Sequence, residues 1–193
     1  MVRERLARSS VGIAGLGGLG SNAAMALARA GIGRLVLVDF DVVEQKNLDR
    51  QAFGLGQVGS KKTTAMAENI AAVDPDIKVE LHDLRLEGGR MEVPFTDVDV
   101  VVEALDSAET KAVFIEEILL KLPKKPIVAA SGVAGYGKSE GIRLRRTGNL
   151  YLVHDDDAPS SDDAVLLAPR VGLFAHMQAN TVLEILLEGS DGD

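Results

Sequence analysis

Residues 15–20 read Gly15-Leu16-Gly17-Gly18-Leu19-Gly20. Glycines at that spacing, between an apolar strand and a helix, bring backbone N–H groups and a helix N-terminus against a phosphate. The run Val11 to Ala14 supplies the strand. The small-residue stretch Ser21 to Ala30, closed by Gly31, supplies the helix. Asp39 ends the next apolar run, Leu35 to Asp39, where a carboxylate can accept hydrogen bonds from both hydroxyls of a ribose. These features describe an adenine-nucleotide site. Taken alone, they favour NAD or FAD and an NAD(P)-dependent oxidoreductase.

The residues after Asp39 point elsewhere. The stretch Asp39 to Gln51 carries Asp41, Asn47 and Arg50, is far more polar than an ordinary strand-to-helix loop, and is followed by Gly59-Ser60-Lys61-Lys62. Asn47, Arg50 and Lys62 would be delivered to the same crevice as the glycines. Hydride transfer needs no such group of phosphate-directed cations. An α-phosphate under attack does, because negative charge grows on its oxygens as pyrophosphate leaves. Cations in a helix's first turn oppose its dipole unless an anion is near; Lys62 is read as functional and Lys61 as surface. Asp106 has two readings: a cap for the helix that begins near Ser107, or a metal-holding acid at the C-terminal end of a strand.

The elements that must position these residues alternate along the chain. Ser60 is placed to cap a helix running to about Val73, Val79 and Leu81 mark a strand, and Val98 to Val102 a stronger one. Ala108, Ala112, Ile115, Leu119 and Leu122 recur at helical spacing until Pro123 stops them, and Ile127 to Ala130 is the next strand. The pattern predicts an α/β fold with a Rossmann-like, doubly wound, mostly parallel sheet. Ile142 to Leu144 and Leu150 to Val153 read as antiparallel strands added at one edge. A last helix runs from about Pro169 to Leu187.

All 193 residues are expected to form one domain, with residues 1–9 as an N-terminal arm, 155–163 as an exposed loop and 189–193 as a tail. Asp155, Asp156, Asp157, Asp162 and Asp163 read as a solvated loop rather than a metal site. Arg143, Arg145 and Arg146 read as edge protection or a docking surface. His82, His154 and His176 receive no role.

Composition narrows the chemistry. A net charge of −8 argues against a nucleic-acid partner. The absence of cysteine rules out a Cys-bound zinc and any thioester or persulfide on these residues. Arg3, Arg5 and Arg8 before the uncharged run Ser9 to Ala28 imitate a signal peptide, but the glycines, Ser21 and Asn22 are too polar for a signal core. No segment approaches a membrane span, and a cytoplasmic protein is expected.

The segments GLGGLGSN, VDFDVV, NLDRQ, VGSKK and EALD, in that order, resemble the ThiF/MoeB/HesA family, relatives of the ubiquitin-activating enzymes. SGVAGYG and APRVGLFAHMQAN make the chain most similar to that family's short, divergent ThiF clade. The resemblance implies ATP-dependent adenylation of the C-terminal glycine carboxylate of a small ubiquitin-like sulfur carrier ending in Gly-Gly, such as ThiS, in thiamine thiazole synthesis. It implies that Gly15, Gly17, Gly18 and Gly20 line the phosphates, with Gly17 and Gly18 against them, that Asp39 holds the ribose and that Asp41 belongs to the site. Asn47, Arg50 and Lys62 would contact the triphosphate, and Asp106 would hold magnesium. A homodimer is implied as well, with Arg3, Arg5 and Arg8 as candidates for a further phosphate-directed arginine. The family's two Cys-x-x-Cys zinc pairs and its acceptor cysteine have no counterpart, so the expected reaction stops at the acyl-adenylate. The rivals are the oxidoreductase, a non-catalytic carrier-binding module of the same fold, and a relative that activates a small carboxylate on tRNA.

Overall fold

The computed structural model describes residues 1–159 and 164–189. Its centre is a seven-stranded sheet formed by β1 Ser10–Ala14, β2 Arg34–Asp39, β3 Lys78–Asp83, β4 Val100–Glu103, β5 Ile127–Ser131, β6 Arg143–Thr147 and β7 Leu150–His154. The strand order is β3-β2-β1-β4-β5-β7-β6. Every pairing is parallel except that of β6 with β7. β1 and β4 are buried along their whole length, as strands covered on both faces must be.

The helices are α1 Val2–Ala7, α2 Gly18–Ala30, α3 Lys62–Ala71, α4 Ala108–Lys121 and α5 Ala168–Glu188. On one face of the sheet, Leu27 of α2, Ile70 of α3 and Val182 of α5 share a core with Ile13, Leu37 and Val102. On the other face, Phe114 and Ile118 of α4 join Phe95, Val36 and Val101. Phe95 meets Phe114 edge-on, with ring centres 5.4 Å apart. A Cβ on Gly12 would lie 2.5 Å from the Phe95 ring, which explains a glycine inside a central strand.

From β1 the chain winds outward through β2 to β3, then returns to the other side of β1 as β4 and winds outward again. The winding reverses between the carboxyl ends of β1 and β4, where open α/β sheets bind ligands.

Several expectations are refined. α3 starts at Lys62 and has no side-chain cap. Ser60 does not cap it, because the N-cap position is held by Lys61 and Ser60 stands one residue too early for its hydroxyl to meet the first-turn N–H groups. α2 starts at Gly18 rather than Ser21, since the glycine loop itself winds into the first turn. Residues 2–7 of the expected arm are helical and bury Leu6. The hairpin does extend one edge, but β7 itself runs parallel to β5 and only β6 opposes the rest. Asp155 is buried rather than exposed, because it meets Arg170, while Asp156 and Asp157 are exposed as expected. Asp162 and Asp163, with residues 160–161 and 190–193, lie outside the described residues. Among the described residues no helix is long and apolar enough to cross a membrane.

α4 is capped by Ser107, whose Oγ accepts the Thr110 N–H at 3.3 Å, so Asp106 is not the cap. Ser107→Ala is expected to cost about 1 kcal/mol. The check is a lower urea midpoint at unchanged slope.

Candidate active site

The glycine loop is shaped by what each position touches. Gly15 has φ +90°, and a Cβ there would meet the Ala104 carbonyl at 2.7 Å. At Gly20 it would strike the Gly15 carbonyl at 1.8 Å, and at Gly18 the Val171 side chain at 2.9 Å. Gly17 differs, because its nearest neighbour would be Gln51 Nε2 at 3.9 Å. Gly15 and Gly20 are therefore required for packing, whereas Gly17 leaves room beside the start of α2. No side chain caps that helix, so its first N–H groups are available to an anion.

Asp39 is buried at the end of β2. One carboxylate oxygen accepts the Leu16 N–H at 2.6 Å and the other the Asp41 N–H at 2.8 Å. It thus fixes the glycine loop to the following segment, and each oxygen keeps a lone pair for a ribose hydroxyl. That segment is stapled a second time. Asn22 donates to the carbonyls of Gly18 and Arg50 at 2.7 and 2.9 Å. Ser21 accepts the Ala52 N–H at 3.0 Å and donates to the Gly17 carbonyl.

These staples hold the segment that carries Arg50 against the start of α2. A Gly18 Cβ would lie 3.8 Å from Arg50 Cγ, so the Arg50 stem lies beside Gly18. Its guanidinium donates to Asp49 Oδ1 at 2.7 Å and to the Lys46 carbonyl at 3.1 Å. Lys62 is buried and donates to Asp41 Oδ2 at 2.8 Å, while its own N–H bonds the Asp41 carbonyl. Lys61 instead pairs with Asp83 in a half-exposed bridge. Asn47 is buried and its Oδ1 accepts the Glu44 N–H, closing the short turn that carries it toward Arg50.

Asp106 lies beyond the end of β4, two residues from Ala104, which abuts both Gly15 and Gly20. It is exposed and makes no hydrogen bond or ion pair with the described residues. No group of three or more His, Asp or Glu side chains is gathered around it or elsewhere among the described residues. A lone carboxylate still suits magnesium, which commonly takes one or two protein carboxylates together with nucleotide phosphates.

Sequence reasoning missed the supports beneath these groups. Glu103 is fully buried, accepting from the Leu105 N–H and from Lys111. Burial pushes its carboxyl above the usual range, against the pull of Lys111. Gln178 of α5 donates to the carbonyls of Glu103 and Val128. Arg170 donates to the carbonyls of Gly132 and Gly137 and to Asp155, fixing the loop after β5. The available signal was a polar residue in an otherwise apolar run, as with Glu103 after Val100 to Val102.

Arg3, Arg5 and Arg8 lie with the amino end of β1, opposite the glycine loop. Arg5 donates to the Leu187 carbonyl, and the Gly33 N–H bonds the Leu6 carbonyl. Two open cavities at that end are lined by Arg8, Ser9, Asp99 and Lys124 and by Gly31, Arg34 and Asp76. Neither borders the glycines, so the site is placed by its chemistry rather than by enclosed volume.

The chain matches the ThiF family over residues 2–192. It is 37% identical over 110 residues to the probable adenylyltransferase/sulfurtransferase MoeZ of Mycobacterium tuberculosis, covering 56% of this chain and 28% of that protein. It is 31% identical over 190 residues to an adenylyltransferase and sulfurtransferase of Anopheles gambiae, covering 95% of this chain and 42% of that protein. The chain therefore spans under half the length of these relatives. Its fold matches E. coli tRNA N6-threonylcarbamoyladenosine dehydratase, TcdA, in complex with AMP, with a TM-score of 0.88 over 99% of this chain and 91% of that one, at 23% identity.

Proposed function

The chain belongs to the ThiF family, and from that premise we propose that it binds ATP and adenylates the C-terminal carboxylate of a small ubiquitin-like carrier protein. Two relatives are named adenylyltransferases, and the residues fit that chemistry. The observation that supports the reading best is the run of contacts from Lys62 to Asp41, and through Asp39 to the glycine loop, which the Arg50 stem also lies beside. An oxidoreductase site has no use for them.

In this reading the uncapped start of α2 and Gly17 receive phosphate oxygens, and Asp39 orients the ribose through its remaining lone pairs. Asn47 contributes a further polar contact to the triphosphate. The carrier's carboxylate attacks the α-phosphorus, the bond from that phosphorus to the bridging oxygen breaks, and pyrophosphate departs. Lys62 offsets the growing charge as a point ammonium, while Arg50 braces oxygens through its planar fork. Asp106 would hold magnesium, which supplies charge neutralisation for the departing pyrophosphate. No residue here can carry a thioester, so the product is the acyl-adenylate. The carrier is proposed to be a sulfur carrier of ThiS type ending in Gly-Gly, acting in thiamine thiazole synthesis, with this chain working as a cytoplasmic homodimer.

The test is exchange of labelled pyrophosphate into ATP. Exchange is expected only with a carrier whose terminal carboxylate is free. A carrier with that carboxylate amidated should support none. Tight carrier binding without any exchange would instead identify a binding module.

A further inference from the structure

Glu103 ends β4 with no exposure to water. One of its oxygens accepts the Leu105 N–H at 2.7 Å and the other holds Lys111 Nζ. Lys111 stands near the start of α4, where its own N–H bonds the Ser107 carbonyl at 2.9 Å. Its side chain is 19% exposed, so the ammonium is partly wetted and is no core group. Taking a carboxylate wholly out of water is costly, and replacing such a pair by apolar residues is often neutral or favourable. Stability alone therefore does not account for the pair, and it has a further role.

That role is suggested by Asp106, which is exposed and unpaired among the described residues although a lysine stands in the helix it introduces. An ammonium bound to Asp106 would occupy the oxygens a divalent cation needs. Resting on the reading of Asp106 as the metal-holding acid, we propose that Glu103 sequesters Lys111, keeping that lysine off Asp106 and leaving the carboxylate to the nucleotide's metal. Contact with Glu103 holds Lys111 in place, whereas a pair with the exposed Asp106 would be a surface ion pair of small worth. The Leu105 N–H bond to the same carboxylate holds the turn between the two acids, so one side chain both orients Asp106 and removes its competitor.

Manganese(II) is the probe, titrated by electron paramagnetic resonance with α,β-methylene-ATP, which binds without cleavage between the α and β phosphorus atoms. Glu103→Gln keeps an acceptor for the Leu105 N–H but releases Lys111, and is expected to bind manganese roughly fivefold more weakly. Adding Lys111→Met to that variant is expected to restore affinity to within about twofold of native. Lys111→Met alone is expected to bind as the native chain does; should Glu103→Gln not fold, Glu103→Asp, whose shorter carboxylate loosens its hold on Lys111, is expected to weaken manganese binding in the same direction. Unchanged affinity in Glu103→Gln overturns the proposal. So does equal weakening in the single and double variants, which would make Glu103 only a brace for the turn, and so does weakening in Lys111→Met. A native protein that binds neither manganese nor the analogue counts against the nucleotide site itself.

Discussion

Lys62→Ala is expected to lower carrier-dependent pyrophosphate exchange by roughly 10²–10³-fold, the usual loss for one preorganised charge-stabilising donor. The Lys62 side chain is 6% exposed and its ammonium is oriented by Asp41, whose side chain is 46% exposed. One of its three donors serves Asp41, and the others are available to phosphate. Removing it also leaves the Asp41 carboxylate facing the same anion. Lys62→Arg is expected to recover little, since a planar fork does not replace a compact ammonium in a covered niche. Arg50→Ala should cost about as much. The exchange rate is the measurement, with nucleotide affinity followed separately by calorimetry. Full exchange in either alanine variant would remove these residues from the site.

The largest stability effect is expected at Asp155. Its carboxylate and the Arg170 guanidinium are 3% and 4% exposed and meet at 2.5 Å, and the arginine also donates to Gly137 and Gly132. Asp155→Ala strands a buried cation and is expected to cost about 3–5 kcal/mol. Replacing the pair together, Asp155→Leu with Arg170→Met, should cost far less. The hydrogen bond from Arg170 holds the Asp155 carboxyl below the usual aspartate range. A carboxyl lowered in the folded state adds stability above its unfolded value, about 3.9, and that stability disappears as pH falls through the folded value. Denaturation midpoints taken from pH 6 downward should therefore show a shallower acid limb for Asp155→Asn than for the native chain. Parallel limbs would contradict the assignment.

Much of the architecture was legible because it rests on local pattern. The apolar runs of β1, β2, β4 and β5 and the helices between them follow from short-range spacing, and the glycine loop announces its own turn. The helix dipole marked both Lys61 and Lys62 as unusual without distinguishing them, and the two part by their neighbours, Lys62 buried against Asp41 and Lys61 half-exposed against Asp83. What remained hidden depends on partners distant in sequence. Asp155 read as one more acid in a solvated stretch because Arg170, which buries it, lies beyond the acidic loop. Glu103 was passed over for Asp106 although it ends the apolar run Val100 to Val102, because the partner that shares its burial, Lys111, stands in the next helix. The helix of residues 2–7 is too short for periodicity to register. The direction of β7 depends on which neighbour it meets, which strand propensity does not encode.

The outermost strand, β6, presents Arg143, Arg145 and Arg146 along a fully exposed edge. Two copies meeting there strand to strand would set guanidinium groups against guanidinium groups at close spacing, and like charges directly opposite repel. Runaway polymerisation through this open rim is thereby discouraged.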